Sequence, residues 1–297
     1  MTQYKRIGVT VKSDLDHRDE AVRTVLEILK KSDAEVLLDD KRCHDLPSAK
    51  GIALFEDEKN LDLLIVIGGD GTILRAVRQL KDFSIPILSV NRGAVGFLAE
   101  TNMDEAATLL PKLLKGDGVI DERSVLHVEA KRGKEMLFHG NVLNEAVISQ
   151  GTIARLVNLR TNINGEELTT FRADGLIIAT PTGSTAYSLA AGGPIVHPRL
   201  SAAILTPINS HSFSQKPLVI PSDHVIDVEV QTKENKFSDV EVSLTLDGQT
   251  YIRLERGDTV SAHINKQTVK FLRRKQDTFF GTLREKLKWG DSLRKEE

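Results

Sequence analysis

Hydrophobic and polar residues alternate along the first ~120 residues in a way that predicts strands and helices in turn. Four short apolar runs predict strands, at 6–11, 35–38, 61–67 and 85–90. Between them, apolar residues recur at helical spacing, at 22–29, 72–80 and 103–114. Within the run at 61–67, five consecutive residues are apolar, as in strands that a parallel sheet buries on both faces. This pattern predicts an α/β, Rossmann-like N-terminal domain over residues 1–122.

The pattern changes after about residue 121, where short segments rich in β-branched residues replace the helical stripes. These segments predict strands at 125–130, 136–139, 142–149, 156–163, 218–220, 225–231, 240–246 and 259–263. Asn164-Gly165 separates two of them and is typical of a tight hairpin turn. We therefore expect a β-rich, sandwich-like C-terminal domain over 123–276. A last apolar stripe predicts a helix within 277–297 that packs back on the first domain.

Composition narrows the classes of function. The chain has 297 residues, with 40 Lys and Arg against 42 Asp and Glu, so it lacks the basic surplus of a nucleic-acid binder. The only cysteine, Cys43, is interpreted as an inert thiol, and no Cys/His spacing predicts a zinc site. No apolar stretch is long enough to span a bilayer, and no signal peptide is evident. These features predict a cytoplasmic protein that binds neither nucleic acid nor membrane.

The first candidate motif is Gly68-Gly69-Asp70-Gly71-Thr72, at a predicted strand-to-helix turn. Glycines there let backbone N–H groups approach a phosphate, and the helix N-terminus favours an anion. Asp70 is unexpected in such a place because it is itself an anion. One interpretation is that Asp70 takes a proton from an attacking hydroxyl or helps to hold a divalent metal. The alternative is that it only caps a helix that begins near Thr72.

Two further motifs follow in the predicted β-rich half. Asn144-Glu145 interrupts the apolar run 142–148, and a carboxylate beside an amide suits ribose hydroxyls and a purine edge. An edge strand is the alternative interpretation. The segment Thr180–Pro194 follows a strand, is rich in small and hydroxyl residues, and offers Tyr187 for stacking on a base. Its alternative is a generic helix start with a core tyrosine. A serine hydrolase is not indicated, since the second glycine of a nucleophile elbow is missing.

In order and spacing these motifs resemble those of bacterial NAD kinases. The resemblance runs from about residue 6 to about residue 275 and rests on the segments 68–72, 91–93, 96–98, 144–145 and 180–194. The first motif is shared with lipid and sugar kinases, whereas the last is specific. One departure is Asn209-Ser210, where the family has an apolar residue and a proline.

The resemblance implies transfer of the γ-phosphoryl group of ATP to the adenosine-ribose 2′-hydroxyl of NAD, which gives NADP and ADP. It places catalysis in a cleft between the two domains. It also implies a divalent cation, for which we expect magnesium arriving with ATP, and a homo-oligomer, either a dimer or a tetramer. No protein ligand of that metal can be named from the sequence.

The resemblance also implies roles for individual residues. Asp70 is the expected general base, and Asn144 with Glu145 contacts adenosine and ribose. Residues 185–190 enclose adenine, and Arg172 with Asp174 contacts the nicotinamide half. The full expected NAD-binding set is Asp70, Gly71, Arg75, Asn144, Glu145, Arg155, Arg172, Asp174, Thr185, Ala186, Tyr187, Ser188, Leu189, Ala190 and Gln249.

Two other functions stay open at this point. A lipid kinase of the diacylglycerol or sphingosine type would share the glycine-aspartate turn, but the 180–194 segment and the lack of a basic amphipathic membrane stretch argue against it. A catalytically silent NAD(P)-binding regulator would have little reason to keep Asp70 among phosphates. Formation of NADP from NAD, ATP and magnesium would exclude the regulator, whereas turnover of diacylglycerol but not of NAD would select the lipid kinase.

Overall fold

The structure, a computed structural model, describes residues 2–92, 96–151, 156–231, 241–275 and 279–288. The chain divides into two compact units. The first comprises Met1–Asp121 together with Lys270–Glu297, and the second is Glu122–Val269. The second boundary falls earlier than the predicted 276, because a strand near residue 270 joins the sheet of the first unit. Among the described helices, none has the length and apolar character needed to cross a membrane.

The chain up to residue 123 contains the strands and helices that the hydrophobic pattern predicts, together with short strands at 53–55, 101–102 and 119–123 and a short helix at 40–43 that it does not predict. The elements are β1 (Arg6–Val11), α1 (Arg18–Leu29), β2 (Glu35–Asp39), α2 (Asp40–Cys43), β3 (Ala53–Phe55), β4 (Leu63–Ile67), α3 (Asp70–Gln79), β5 (Ile87–Asn91), β6 (Thr101–Asn102), α4 (Met103–Leu114) and β7 (Val119–Arg123). Cys43 is fully buried, and burial raises the pKa of its thiol to about 12, in keeping with an inert thiol.

The following part of the chain is almost entirely strand. Its elements are β8 (Leu126–Arg132), β9 (Glu135–Val142), β10 (Glu145–Gln150), β11 (Val157–Ile163), β12 (Glu166–Ala173), β13 (Gly175–Ala179), α5 (Tyr187–Ala190), β14 (Ala202–Ile208), β15 (Leu218–Pro221), β16 (Ile226–Val230), β17 (Val242–Leu246), β18 (Thr250–Leu254), β19 (Thr259–Ile264), β20 (Val269–Arg273) and α6 (Phe279–Leu287). The C-terminal helix α6 groups with the first unit and buries Leu283.

The sheet of the first unit has the strand order β3-β2-β1-β4-β5-β20-β7, with β6 paired to β5. β1 is parallel to both β2 and β4. The chain therefore builds outward from β1 in one direction and then returns to add β4 and β5 on the other side. Open α/β sheets bind ligands at the carboxyl ends of the strands where the order reverses. In this unit that point lies between β1 and β4, and the Gly68–Thr72 motif leaves β4 there.

The second unit contains two antiparallel sheets of six strands, β15-β14-β13-β10-β17-β18 and β12-β11-β16-β19-β8-β9. Alternate residues of both sheets enter one buried cluster, for example Val128 of β8 and Ile148 of β10. The predicted hairpin turn joins β11 to β12, with φ of 51° at Asn164 and 80° at Gly165. Positive φ at both positions is what a type I′ turn requires, so the Asn-Gly signal is confirmed.

Strand β13 is apolar at consecutive positions because both of its faces are covered. Leu176 and Ile178 enter the cluster shared by the two sheets. Ile177 and Ala179 point the other way and pack with Val196 in a second cluster. The polypeptide that follows β13 therefore returns over the outer face of this sheet, and it carries the Thr180–Pro194 motif.

Candidate active site

The glycine-rich turn of the first unit joins β4 directly to α3. Gly69 is the N-cap residue and provides no side chain to cap the helix, while Asp70 is the first helical residue. Helix α3 thus begins two residues earlier than Thr72, and the interpretation of Asp70 as its cap is wrong. A carboxylate in the first turn of a helix is nonetheless favoured by the helix dipole.

The side chain of Asp70 contacts the loop that follows β5. One carboxylate oxygen accepts from Phe97 N at 3.1 Å and the other from Leu98 N at 3.3 Å. Arg273 donates to the carbonyl oxygens of the same two loop residues, at 3.5 and 3.3 Å. Asp70 is half-buried, and a carboxylate offers about four acceptor sites, of which the described residues use two. These two loop contacts fix the position of the carboxylate.

Two further predicted residues of the first unit, Gly71 and Arg75, also belong to helix α3. Gly71 is exposed at the start of α3. Arg75 is five residues beyond Asp70, which puts it about 140° around the helix. Its guanidinium donates to Val11 O, at the carboxyl end of β1, at 3.4 Å. Burial lowers the pKa of Arg75, and the charge of Arg42 lowers it further. Arg75 therefore lies at the β1 side of the switch point, away from the contacts of Asp70.

In the second unit, Asn144 and Glu145 are held by a residue that the sequence analysis missed. The Asp247 carboxylate accepts from the backbone N–H groups of Leu143, Asn144 and Glu145, at 3.0, 2.8 and 3.2 Å. Asp247 N donates in return to Glu145 O at 3.0 Å. The backbone φ is 49° at Asp247 and 65° at Gly248, so this pair forms the turn between β17 and β18. The Asp-Gly pair between two apolar runs was the signal for it.

The Glu145 side chain is buried, with 6% of the residue exposed. Among the described residues its Oε2 atom has no hydrogen-bond partner. Burial, followed by the negative charge of Asp247, raises the pKa of Glu145 to about 8. A buried carboxyl group without a partner costs stability and is a frequent mark of a functional site. The edge-strand interpretation is wrong, since β10 lies between β13 and β17.

The Thr180–Pro194 segment contacts the backbone of the two residues that precede Glu145. Thr180 donates through Oγ1 to Leu143 O at 2.5 Å and through N to Asn144 O at 2.8 Å. Gly183 lies so close that a Cβ atom would overlap the carbonyl oxygen of Asn144. Glu145 shares the face of β10 with Val147, which packs in the cluster beneath this segment. The second and third motifs therefore form a single site.

Most hydroxyl groups of this segment stabilise the fold. Ser184 Oγ lies 2.6 Å from Pro181 O and 3.0 Å from Val196 O, which share its one hydrogen, and Ser188 Oγ bonds Thr206 Oγ1 at 2.9 Å. In place of an extended helix, the chain forms a 3₁₀ turn at Gly183–Thr185 and the four-residue helix α5. Ser184 is fully buried, which excludes it as a nucleophile.

The side chains of the segment predicted to bind adenine differ in how far they are exposed to solvent. Tyr187 is 46% exposed, so the interpretation of a core tyrosine is wrong. Thr185, Ala186 and Leu189 are half-buried, Ser188 is buried and Ala190 is exposed. An exposed aromatic ring of this kind can stack on a base.

The other predicted residues lie farther along the second unit. Gln249 is exposed and follows the Asp247 turn, close to Glu145 in register. Asp174 lies near the opposite end of β13, about 17 Å from the Glu145 end at 3.4 Å per residue. Its carboxylate accepts from Asn209 Nδ2 at 2.9 Å, and the neighbouring Arg172 is exposed. Asn209 is the residue at which the chain departs from the family pattern. Arg155 lies outside the described residues.

Comparison with known proteins agrees with this arrangement. The sequence model of the ATP-NAD kinase N-terminal domain matches residues 7–118, and that of the C-terminal domain matches residues 143–274. The chain belongs to the ATP-NAD kinase family. The NAD kinase of Geotalea daltonii is 41% identical over 230 residues, which cover 77% of this chain and 79% of that protein.

Two solved structures of kinases are also similar to this chain, each with 26% sequence identity. Yeast NADH kinase complexed with NADH has a TM-score of 0.88 and is matched over 99% of this chain and 90% of the yeast chain. An NAD kinase from Archaeoglobus fulgidus in complex with ATP has a TM-score of 0.72, over 95% and 98% of the two chains. The likeness therefore extends over nearly the whole length of each protein.

Proposed function

We propose that this chain transfers the γ-phosphoryl group of ATP to the adenosine-ribose 2′-hydroxyl of NAD and releases NADP and ADP. The observation that carries the proposal is the buried Glu145 carboxyl group, whose Oε2 has no partner among the described residues. The relatives support the substrate pair, since one solved kinase is complexed with NADH and another with ATP.

NAD binding is assigned to the site in the second unit. The Glu145 carboxyl group accepts from ribose hydroxyls or, when protonated, donates to one of their oxygens. Asn144, held by Asp247 through its backbone, contacts the adenosine half. Tyr187 offers its exposed face to the adenine ring. A ligand that pairs with Glu145 recovers part of the free energy that burial of this carboxyl group costs.

Phosphate binding and proton transfer are assigned to the glycine-rich turn of the first unit. The N-terminus of α3 and the small residues before it favour an anion at the carboxyl end of β4. Asp70 accepts the proton of the 2′-hydroxyl as its oxygen attacks the γ-phosphorus atom and the bond to the β-phosphate oxygen breaks. Its bonds to Phe97 N and Leu98 N hold the carboxylate in one orientation for that step. Whether the active site lies between the two domains stays a prediction.

The residues present fit a magnesium ion that arrives with ATP. Magnesium is bound by oxygen ligands, most often one or two carboxylates together with substrate phosphates. Asp70 supplies such a carboxylate at the turn, and among the described residues its acceptor sites bond only Phe97 N and Leu98 N. The ion would neutralise charge on the phosphates, whereas the chain's own part is to position the hydroxyl and take its proton.

The function is tested by incubating the protein with ATP, magnesium and either NAD or diacylglycerol. We expect NADP from the first mixture and no phosphorylated lipid from the second. Lipid phosphorylation without NADP would replace the proposal with a lipid kinase. Binding of NAD with no product would indicate a regulator. Sedimentation velocity checks the predicted dimer or tetramer, and a cytoplasmic location stays a prediction.

A further inference from the structure

Three polar side chains that the proposed reaction does not use lie together on the outer face of one sheet in the second unit. His127 and Glu129 belong to β8, and His139 belongs to the edge strand β9. Val128, between the first two, points into the core cluster, so its neighbours face the opposite side. In the β8–β9 register, Glu129 lies directly opposite His139. Strand pairing, and not sequence spacing, brings these residues together.

The distances suit a shared cation. One ligand atom from each of the three residues lies within 4.8 Å of the other two. His127 Nε2 and Glu129 Oε1 are 3.8 Å apart, which is too long for a hydrogen bond. Ligand atoms about 2.0–2.1 Å from a tetrahedral zinc ion are separated by about 3.3 Å. Small side-chain rotations would therefore bring the three atoms to metal distance.

Hydrogen bonds from neighbouring residues determine which nitrogen of His127 can bind a metal ion. Asn141 Oδ1 accepts from Asn265 Nδ2 at 3.2 Å and lies 3.1 Å from His127 Nδ1. Because the amide oxygen faces the ring, His127 Nδ1 carries the proton and donates. Neutral His127 then has its lone pair on Nε2, toward Glu129. This is how outer groups set the tautomer of metal-bound histidines.

The carboxylate is oriented in the same way from its other side. Glu129 Oε2 accepts from Lys131 Nζ at 2.5 Å, which leaves Oε1 toward the His127 imidazole. A third ring, His263 of β19, lies 5.1 Å from the His127 ring and borders the cluster. His127 is partly buried, with 15% of its side chain exposed, while His139 is exposed. The cluster is thus both open to solvent and oriented by its neighbours.

We propose that His127, Glu129 and His139 bind a divalent transition-metal ion, for which Zn²⁺ is the probe. Imidazole nitrogen with carboxylate oxygen is a ligand set typical of zinc and its neighbours, and not of magnesium. Three protein ligands leave the fourth tetrahedral position to water. The sequence analysis predicted no zinc site, because the ligands come from two strands whose register it does not specify. Such an ion would tie the edge strand β9 to β8.

Calorimetric titration of the full-length, untagged protein with Zn²⁺ tests the proposal. We expect one ion per chain, with affinity reduced about tenfold or more in His139→Gln. The matched control is His224→Gln, because His224 also pairs with a carboxylate, Asp223, in the same unit. Asn141→Ala keeps all three ligands but removes the orienting amide, and we expect about 10- to 100-fold weaker binding. Added Zn²⁺ should raise the melting temperature of the wild type and not that of His139→Gln.

The outcomes distinguish this site from the reaction centre. Magnesium-dependent turnover should be unchanged in His139→Gln, whose melting temperature without metal should match the wild type. The proposal is overturned if the wild type binds no Zn²⁺, or if His139→Gln and Asn141→Ala bind it as the wild type does. Loss of binding only in His224→Gln would also overturn it. The Zn²⁺ titrations and the melting temperatures do not depend on whether the chain phosphorylates NAD.

Discussion

Each of the two units places a carboxyl group beside a glycine-containing turn, but the two groups differ in their surroundings. Asp70 in the first unit is half-buried and accepts two backbone N–H groups from the loop after β5. Glu145 in the second unit is buried, and its Oε2 lacks a partner in the described part of the chain. Within the described residues, one carboxylate is thus held by two backbone donors, whereas the other keeps an unpaired oxygen.

The surroundings of Asp70 and Glu145 suit two different chemical roles. A group that takes a proton must be held in the correct orientation, which the loop contacts of Asp70 provide. A group that recognises a ligand gains most when it is buried and unpaired beforehand, because pairing then recovers its desolvation cost. The two carboxyl groups should therefore respond in different ways to the same Asp→Asn or Glu→Gln change.

Asp70→Asn has the largest expected effect. The amide keeps the size of the side chain and one acceptor for the loop, but it cannot take the hydroxyl proton. We expect turnover to fall by about 10²- to 10⁴-fold, with NAD affinity and melting temperature nearly kept. Initial rates of NADP formation measure the first, and calorimetry measures the others.

The control for this change is Asp62→Asn. Asp62 is in the same unit and also accepts two backbone N–H groups, from Lys5 and Arg6, at 2.7 and 2.9 Å. Asp62→Asn should likewise nearly keep its melting temperature, and it should retain turnover. If Asp70→Asn keeps more than about a tenth of wild-type turnover, Asp70 only orders the loop and the base lies elsewhere.

Glu145→Gln should separate binding from stability. NAD binding should weaken by roughly 1–3 kcal/mol, since a carboxyl group that pairs with ribose is lost. The folded pKa of about 8 lies above the ordinary value of 4.5, so the proton is held in the folded state and lost in the unfolded one. Its stabilising contribution is present below pH 4.5 and is lost as pH rises to 8, by on the order of 1 kcal/mol per pH unit.

The Gln variant lacks this pH dependence, so relative to the wild type it should gain stability between pH 5 and pH 8. Urea unfolding at both pH values measures it. Glu100→Gln is the contrast, because Glu100 is equally buried but paired with Arg273 and Arg274. That change should lower stability at pH 8. Unchanged NAD affinity in folded Glu145→Gln would remove Glu145 from the binding site.

Gly183→Ala tests whether the two motifs of the second unit act as one site. The added methyl group would meet the backbone carbonyl of Asn144, which cannot rotate away. We expect a loss of about 1–3 kcal/mol in the free energy of unfolding and a higher KM for NAD. Gly281→Ala is the control, because its methyl group meets no atom within 4 Å. If both variants match the wild type in the free energy of unfolding and in KM, the close contact between Gly183 and Asn144 contributes to neither stability nor NAD binding.

The sequence predicted those parts of the molecule that depend on local pattern. Helix α4 covers the predicted 103–114, and Asn164-Gly165 forms the predicted turn. Strands β7 and β20 were missed, since both are short and joined by pairing between segments about 150 residues apart. That pairing also moved the second domain boundary.

For the candidate site residues, too, the sequence predicted what is local and not what depends on long-range contacts. Asp70 stands out in the sequence because it is an anion at a turn that favours anions, and Glu145 because it is a charged residue in an apolar run. The residues that hold these two side chains and their backbone do not stand out in this way. Phe97 N and Leu98 N bond a carboxylate 27 and 28 positions away, and Asp247 bonds backbone groups more than 100 positions away. Such partners appear only when strand order and register are fixed.

Tyr187→Ala has the smallest expected effect and tests the surface of the second site. Because the ring is 46% exposed, its removal should leave the melting temperature within error of the wild type. Stacking on adenine contributes about 1 kcal/mol for a partly exposed ring, so KM for NAD should rise about fivefold. Tyr187→Phe keeps the ring face and should be mild. Tyr251→Ala, at an exposed tyrosine of β18, is the control and should leave KM unchanged. A lower melting temperature with unchanged KM in Tyr187→Ala would mean that the ring only packs against the fold.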